Sequence, residues 1–289
     1  MHVASPSANA YAMNAITQSL RVLGQAAGAL ALAVAFFSTA AAATSDWATS
    51  EGGRMRLVAL APDVDGHVRA ALQIEPGPGW ITYWREPGES GIPPQLTVEP
   101  DSKAIIEKVG YPVPKLITLG SIREVGYDAP ISLPLDIQPN GDSKLDVTAF
   151  IGVCKDICIP FQAKFTVSLA PSGSPEAADA AIVDAARAAL PEAASNDFSV
   201  RNFALSGDSK TLSLQLTLPD DGDAIPQIYL TGPSGTVFSR QVSAQRHGRN
   251  ADITVAIGKL PKSYTIHGKS WGILAVDGGR AMETTLAFP

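Results

Sequence analysis

Leu145-Asp146-Val147-Thr148-Ala149-Phe150-Ile151-Gly152-Val153-Cys154-Lys155-Asp156-Ile157-Cys158-Ile159-Pro160-Phe161-Gln162 reads as two strands and the turn between them. Leu145–Gly152 is a short run rich in β-branched and aromatic residues, and Gln162–Leu169 is another. Cys154 and Cys158 are the chain's two cysteines, with three residues between them. Positions four apart in an extended strand lie about 13 Å apart. A disulfide needs Cα atoms within about 7 Å. If the two are bonded, the chain turns between them. Lys155-Asp156 suits a tight loop from a strand ending near Val153 to one beginning near Phe161, because Asp favours turns and Pro160 cannot donate to a central ladder.

Strand signals continue on both sides. Upstream they are Arg54–Ala61, His67–Ile74, Trp80–Trp84, Gln95–Val98 and Ile131–Ile137. Between the second and third lies the turn Pro76-Gly77-Pro78-Gly79. Downstream, Leu212, Leu214, Leu216 and Leu218 alternate with polar residues. Ile228–Leu230, Thr236–Val242, Ala251–Ile257, Ser263–His267, Trp271–Val276 and Thr284–Phe288 extend the pattern, with turns at Gly232-Pro233-Ser234-Gly235 and Asp277-Gly278-Gly279. Many short strands at this spacing predict an all-β protein built from β-sandwiches. Between the blocks, Ala170–Pro175 is small and polar. Glu176–Leu190 is Ala-rich, with Ile182, Val183, Ala186 and Leu190 at helical spacing and Pro191 past its end. The expected organisation is a leader over 1–43, a sandwich carrying the cysteines over 44–172, a helical connector over 173–194, and a second immunoglobulin-like sandwich over 195–289.

The leader is expected from order alone. One charged residue, Arg21, precedes the apolar run Val22–Phe37, and small residues from Ser38 to Ala43 close it. That is the pattern of a cleavable secretory signal, with Ala41-Ala42-Ala43 as the site and Met13 as an alternative start. The competing reading is a membrane anchor, but the run falls short of the roughly 20 residues a spanning helix needs. No later stretch is apolar enough to cross a membrane. Without Arg21 the net charge goes from −6 to −7. An acidic chain with no basic block offers no footprint for nucleic acid and no patch for anionic lipid.

Export places the cysteines in an oxidising compartment, where a close pair rests as a disulfide. A chain of this length needs no staple for its core. A loop of about five residues would contribute only roughly 2 kcal/mol on the chain-entropy estimate. A small, exposed loop has the profile of an exchangeable bond. Lys155 would favour the thiolate of Cys154 and Asp156 would oppose it, so these charges do not say which sulfur is attacked first. Residue chemistry leaves three readings open: a structural disulfide, a Cu(I) site on two soft thiolates, and a redox exchange pair.

Longer motifs resemble a known family. Ile131–Ile137, Leu145–Gly152 and the cysteine loop through Cys158-Ile159-Pro160 resemble the N-terminal periplasmic domain of the disulfide reductase DsbD, and more closely that of its relative ScsB, associated with copper tolerance. Gly79-Trp80-Ile81-Thr82-Tyr83-Trp84-Arg85-Glu86-Pro87-Gly88-Glu89-Ser90-Gly91-Ile92-Pro93-Pro94 and Gly110-Tyr111-Pro112-Val113-Pro114-Lys115 are similar to motifs of that group. The resemblance covers most of 50–170 and is weaker over 195–289. It implies an immunoglobulin-like sandwich whose cysteines, here Cys154 and Cys158, receive electrons by thiol–disulfide exchange and hand them to disulfide-containing periplasmic substrate proteins. It implies a mixed disulfide at Cys158, and a shielding cap near Ile122–Tyr127, with Ile122 and Tyr127 the matched positions. Trp84 and Lys155 are the expected partner surface. No cofactor or metal is expected. The cysteine spacing is that of the ScsB group and shorter than in DsbD. The family's membrane and thioredoxin-like domains have no counterpart in this sequence, so a thioredoxin-like or DsbD-like protein would supply electrons in trans. The alternative is a non-catalytic periplasmic binding protein, Cu(I)-binding or an interaction module, with a structural disulfide.

Other residues read more plainly. Trp80, Tyr83 and Trp84 are expected mainly as core packing, with a contact surface near the cysteines as the alternative. His67, His247 and His267 lack metal-ligand spacing. Asp220-Asp221-Gly222-Asp223 lacks the downstream Glu of a calcium loop and reads as a solvated turn. No Walker, Rossmann or Gly-x-Ser-x-Gly motif occurs.

Overall fold

Alternation of apolar and polar residues places one face of each strand inward, and the structure is accordingly built from sheets. It is a computed structural model that describes residues 44–88, 90–119, 122–141, 144–169, 177–232, 239–258, 260 and 263–289. The expected leader, Ala170–Pro175, Glu89 and most of the Gly232–Gly235 turn lie outside these residues. The described residues belong to one compact unit, Ala41–Pro289.

In chain order the first strands are β1 (Ala48–Ser50), β2 (Gly53–Ala59), β3 (Val68–Pro76), β4 (Ile81–Gly88), β5 (Gln95–Val98) and β6 (Ala104–Val109). Next come β7 (Lys115–Leu119), β8 (Ile122–Tyr127), β9 (Ile131–Pro139), β10 (Lys144–Cys154) and β11 (Cys158–Ser168). One sheet has the order β1-β2-β3-β9-β6. The other runs β11-β10-β4-β8-β7, with β5 also paired to β10. The two share a core. Leu57, Leu72, Leu133 and Leu135 come from the first sheet, and Leu145, Val147, Ile151 and Phe165 from the second.

Helix α1 (Ala177–Ala188) lies on the outer side of the first sheet, where Val183 and Ala186 pack on Val58, Leu60 and Ala71. Ion pairs Arg69–Asp184, at 2.9 Å, and Arg187–Asp136 pin it there. The helix expected as a connector is thus present and packs against the first sheet.

The second set comprises β12 (Glu192–Ala193), β13 (Ser199–Leu205), β14 (Thr211–Thr217), β15 (Gln227–Thr231), β16 (Ser239–His247), β17 (Asn250–Ile257), β18 (Ser270–Asp277) and β19 (Arg280–Ala287). They form the sheets β12-β19-β18-β15 and β13-β14-β17-β16, which enclose a second core around Trp271, Leu214, Ile253 and Phe198. Ser263–His267, expected as a strand, is not one. Its side chains are anchored instead: Ile266 is buried, and the Tyr264 hydroxyl accepts a 2.6 Å hydrogen bond from Trp271 Nε1.

The halves meet through side chains of β4, β8, β15 and β18. Trp84 and Tyr127 pack with Tyr229 and Leu274. Trp84 meets Tyr229 edge-on, with ring centroids 5.8 Å apart. Arg85 pairs with Glu283, and the Gly232 amide donates to Glu86 Oε1 at 3.1 Å.

Candidate functional site: a disulfide at the tip of a hairpin

The β10–β11 pair runs in unbroken antiparallel register from Lys144↔Ser168 to Cys154↔Cys158. The cysteines are therefore the last facing pair of the ladder, and Lys155, Asp156 and Ile157 close the hairpin beyond them. Their Cα atoms are 4.1 Å apart and a disulfide joins them. The turn that the spacing requires is present.

Side-chain alternation separates this bond from the core. Leu145, Val147, Ala149, Ile151 and Val153 all point into the first core, so Cys154, one residue on, faces the opposite side of the sheet. There it faces Ile81 of β4 in the register and packs with Ile81 and Tyr83, with Ile92 and Ile117 over them. Cys154 is 2 % exposed, whereas Cys158 is exposed. Lys155, Asp156 and Ile157 are exposed too, Ile157 being a large apolar side chain left in solvent.

Tyr83 is the residue that reaches the bond. Its hydroxyl lies 3.3 Å from Cys158 Sγ. A disulfide sulfur carries no hydrogen, so the phenol donates. The ring is fully buried in a slot lined by two glycines, Gly91 and Gly152. A Cβ on Gly152 would come within 3.0 Å of the ring, and one on Gly91 within 2.5 Å. A Cβ on Gly126, opposite Tyr83 in β8, would strike the Thr82 carbonyl oxygen. Burial, reinforced by the nearby Glu124 charge, pushes the Tyr83 phenol up to about 12, so it keeps its proton at neutral pH. Glu124 is itself buried and accepts a 2.5 Å hydrogen bond from Ser90 Oγ. The disulfide thus has a protonated donor on its exposed sulfur and an apolar packing on its buried one.

The expected site residues fall into separate places. Lys155 sits beside the disulfide, against Gly79, whose φ of +77° is a conformation only glycine adopts easily. Ile122–Tyr127, the segment expected as a cap, forms strand β8 between β4 and β7, with a register shift in its ladder to β4. Ile122 is half-exposed at its start, paired with Leu119, and Tyr127 lies in the Trp84 cluster with its hydroxyl on the Pro112 carbonyl at 2.8 Å. Trp84 is buried against Tyr229. Among the described residues the side chains packed on Cys154 are Ile81, Tyr83, Ile92 and Ile117. Tyr83, expected mainly in core packing with a contact surface near the cysteines as the alternative, is buried and also reaches Cys158. Glu124, Ile92 and Ile117 carried no signal that tied them to the cysteines.

The described residues contain no cluster of three or more His, Cys, Asp or Glu suited to a metal ion, and no helix long and apolar enough to cross a membrane. Asp220 is held by the Gly222 amide and by Arg246, as a turn.

No curated protein matches the chain. Among solved structures, the chain is similar to the N-terminal periplasmic domain of ScsB from Proteus mirabilis, with a TM-score of 0.68 and 22 % identity over 86 % of this chain and 100 % of that one. At that identity the likeness is one of fold. The cysteine hairpin, Tyr83 and Glu124 all fall within residues 56–170, and that region matches the family described as thiol:disulfide interchange protein DsbD, N-terminal.

Proposed function

We propose that this chain is a periplasmic thiol–disulfide exchange protein that passes reducing equivalents through Cys154 and Cys158. The observation that carries the reading is the asymmetry of the bond: Cys158 is exposed and hydrogen-bonded by Tyr83, while Cys154 is buried. A structural disulfide has no need of one open sulfur, and this one closes too short a loop to stabilise much. The family match over 56–170 supports the reading.

The chemistry follows from access. A thiolate of a reduced thioredoxin-like or DsbD-like partner attacks Cys158 Sγ. The Cys154–Cys158 bond breaks, its electron pair goes to Cys154 Sγ, which takes up a proton, and a Cys158–partner disulfide forms. The partner's second thiolate attacks its own sulfur in that bond and expels the Cys158 thiolate. Two electrons have entered the chain and the partner is oxidised. Toward a substrate protein the order reverses: the Cys158 thiolate opens the substrate disulfide, and Cys154 then attacks Cys158 Sγ and releases the substrate reduced. The two sheet pairs then act as two immunoglobulin-like domains over 44–172 and 195–289, the first carrying the chemistry.

The test is trapping in periplasmic extract. Cys154→Ser should accumulate mixed disulfides with redox partners through Cys158, and Cys158→Ser should accumulate few or none. Absence of trapped partners with both variants, together with a wild-type disulfide that resists a reduced thioredoxin-like protein, would overturn the proposal.

A further inference from the structure

A second site lies away from the cysteines. Between the halves is a cleft of about 780 Å³, within the range of small-ligand and peptide pockets. Its first wall is a sheet face carrying Trp84 and Glu86 of β4 with Arg123 and Val125 of β8. These are alternate positions on their strands, on the side of the sheet that also holds Tyr127 and away from Tyr83 and Cys154.

The second wall is different in kind. Gln227, Ile228, Tyr229 and Leu230 all line the cleft. Successive side chains of a strand point to opposite faces, so four consecutive lining residues mean that the cleft runs along the backbone edge of β15. Within its sheet β15 pairs only with β18 among the described strands, so no described strand occupies its other edge. Backbone donors and acceptors on a free edge are a template for an added strand.

Two features give the charge of the occupant. Arg123 and Arg240 both line the cleft, and neither is joined to a carboxylate among the described residues. Trp84 is 1 % exposed, and its indole Nε1 has no hydrogen-bond partner among the described residues. A buried N–H without an acceptor is rare in folded proteins. Glu86 opposes these groups, but one of its oxygens is taken by the Gly232 amide. Two guanidiniums and an indole donor outweigh one carboxylate.

We infer that the cleft binds an extended peptide strand, paired along the edge of β15 and carrying an acidic side chain whose carboxylate is held by Arg123, Arg240 and the Trp84 indole. The site uses neither cysteine and stands independently of the exchange reading.

The test uses the oxidised full chain with ¹⁵N-labelled indoles, the Trp84 resonance being assigned from Trp84→Phe. The probes are positional-scanning libraries of N-acetylated Val/Thr hexapeptide amides with Asp, Asn or Lys at one position. Asp libraries should shift the Trp84 indole resonance saturably, with Asn at least tenfold weaker and Lys silent. Arg123→Gln and Arg240→Gln, both at solvent-accessible positions, should each weaken Asp-peptide binding at least fivefold with unchanged far-UV circular dichroism. Equal binding of Asp and Asn libraries, no saturable shift from any library at millimolar concentration, or sodium acetate reproducing the full shift at the same concentration would each overturn the inference.

Discussion

The Tyr83 hydroxyl lies 3.3 Å from Cys158 Sγ, and 75 residues of chain separate them. When the pair is reduced, that phenol is placed to donate to a Cys158 thiolate, which favours the charged form and lowers the thiol pKa. The phenol, pushed up to about 12, does not compete for the charge at neutral pH. A hydrogen bond to a charged group contributes roughly 1.5 kcal/mol, equivalent to about one pH unit in the thiol midpoint. In a Cys154→Ser background, Tyr83→Phe should therefore raise the Cys158 titration midpoint by about one pH unit. Alkylation at pH 7 should slow only about threefold, because the more basic thiolate is also the better nucleophile. Iodoacetamide rates across pH 5–10 check both numbers, and an unmoved midpoint would mean that the hydroxyl does not act on the thiolate.

Burial sets the order of reactivity between the two sulfurs. In reduced protein, Cys158 should react with a bulky maleimide about tenfold or more faster than Cys154, because only the former is open to a reagent. Peptide mapping after brief labelling gives the ratio. Similar labelling of both would show that the hairpin tip opens on reduction.

The glycine slot holds Tyr83 in place by exclusion. In Gly152→Ala the new methyl would lie 2.7 Å from Ile92 Cβ and 3.0 Å from the Tyr83 ring, with buried atoms on both sides. Overpacking of this kind costs about 1–3 kcal/mol. Urea unfolding of the oxidised protein should show that loss as a lower midpoint with an unchanged slope. The same substitution at Gly141, whose Cβ meets nothing within 4 Å, gives a control for the loss of glycine alone, since its positive φ adds only local backbone strain.

Alternation made most of the sheet legible in advance. Leu145–Gly152, Leu212–Leu218 and Ala251–Ile257 each have one inward face, and each is a strand. What escaped were strands without that contrast. β6 is Ala-Ile-Ile-Glu-Lys-Val at a sheet edge, where apolar Ile105 and charged Glu107 share the outward face, and Ile105 is left exposed. β7 is likewise an edge strand, with Leu116 partly in solvent. Ser263–His267 erred the other way: its alternation is real, but turns rather than a ladder hold it. The cysteines were plain from spacing, and their surroundings were not. Tyr83, Gly91, Gly126 and Gly152 converge from three strands and a loop, and nothing local in any of those segments marks the convergence.

The contact between the halves rests on few side chains, so one truncation should test its worth. Tyr229 is buried, meets Trp84 edge-on, and its hydroxyl donates to Gln227 Oε1 at 3.1 Å. Removing a buried aromatic costs about 3–5 kcal/mol in a tight core, less where solvent can fill the gap. Tyr229→Ala should cost about 2–4 kcal/mol and shift Trp84 fluorescence to the red as water reaches the indole. A stability loss without the red shift would place the cost inside the second core and not at the contact.

Acid should weaken the second half through Asp197. The Arg280 guanidinium and the Ser195 hydroxyl hold its carboxyl well below the usual carboxylate range. The sign follows from linkage: a carboxylate whose folded pKa is depressed adds stability that is fully present above its unfolded pKa, near 4, and is lost as pH falls through the folded value. Asp146 is depressed in the same direction, first by the Thr166 hydroxyl and then by Lys144. The wild-type melting temperature should therefore hold level above pH 5 and fall steadily below pH 4. Asp197→Asn should melt lower than wild type at pH 7, and the gap should narrow progressively from pH 4 to pH 2, because acid begins to remove from the wild type the charge that the variant lacks. Melts at pH 7, 4 and 2 suffice. A gap between the two proteins that stays constant across the three would mean that the Asn side chain perturbs packing and that the Asp197–Arg280 pair carries none of the acid sensitivity.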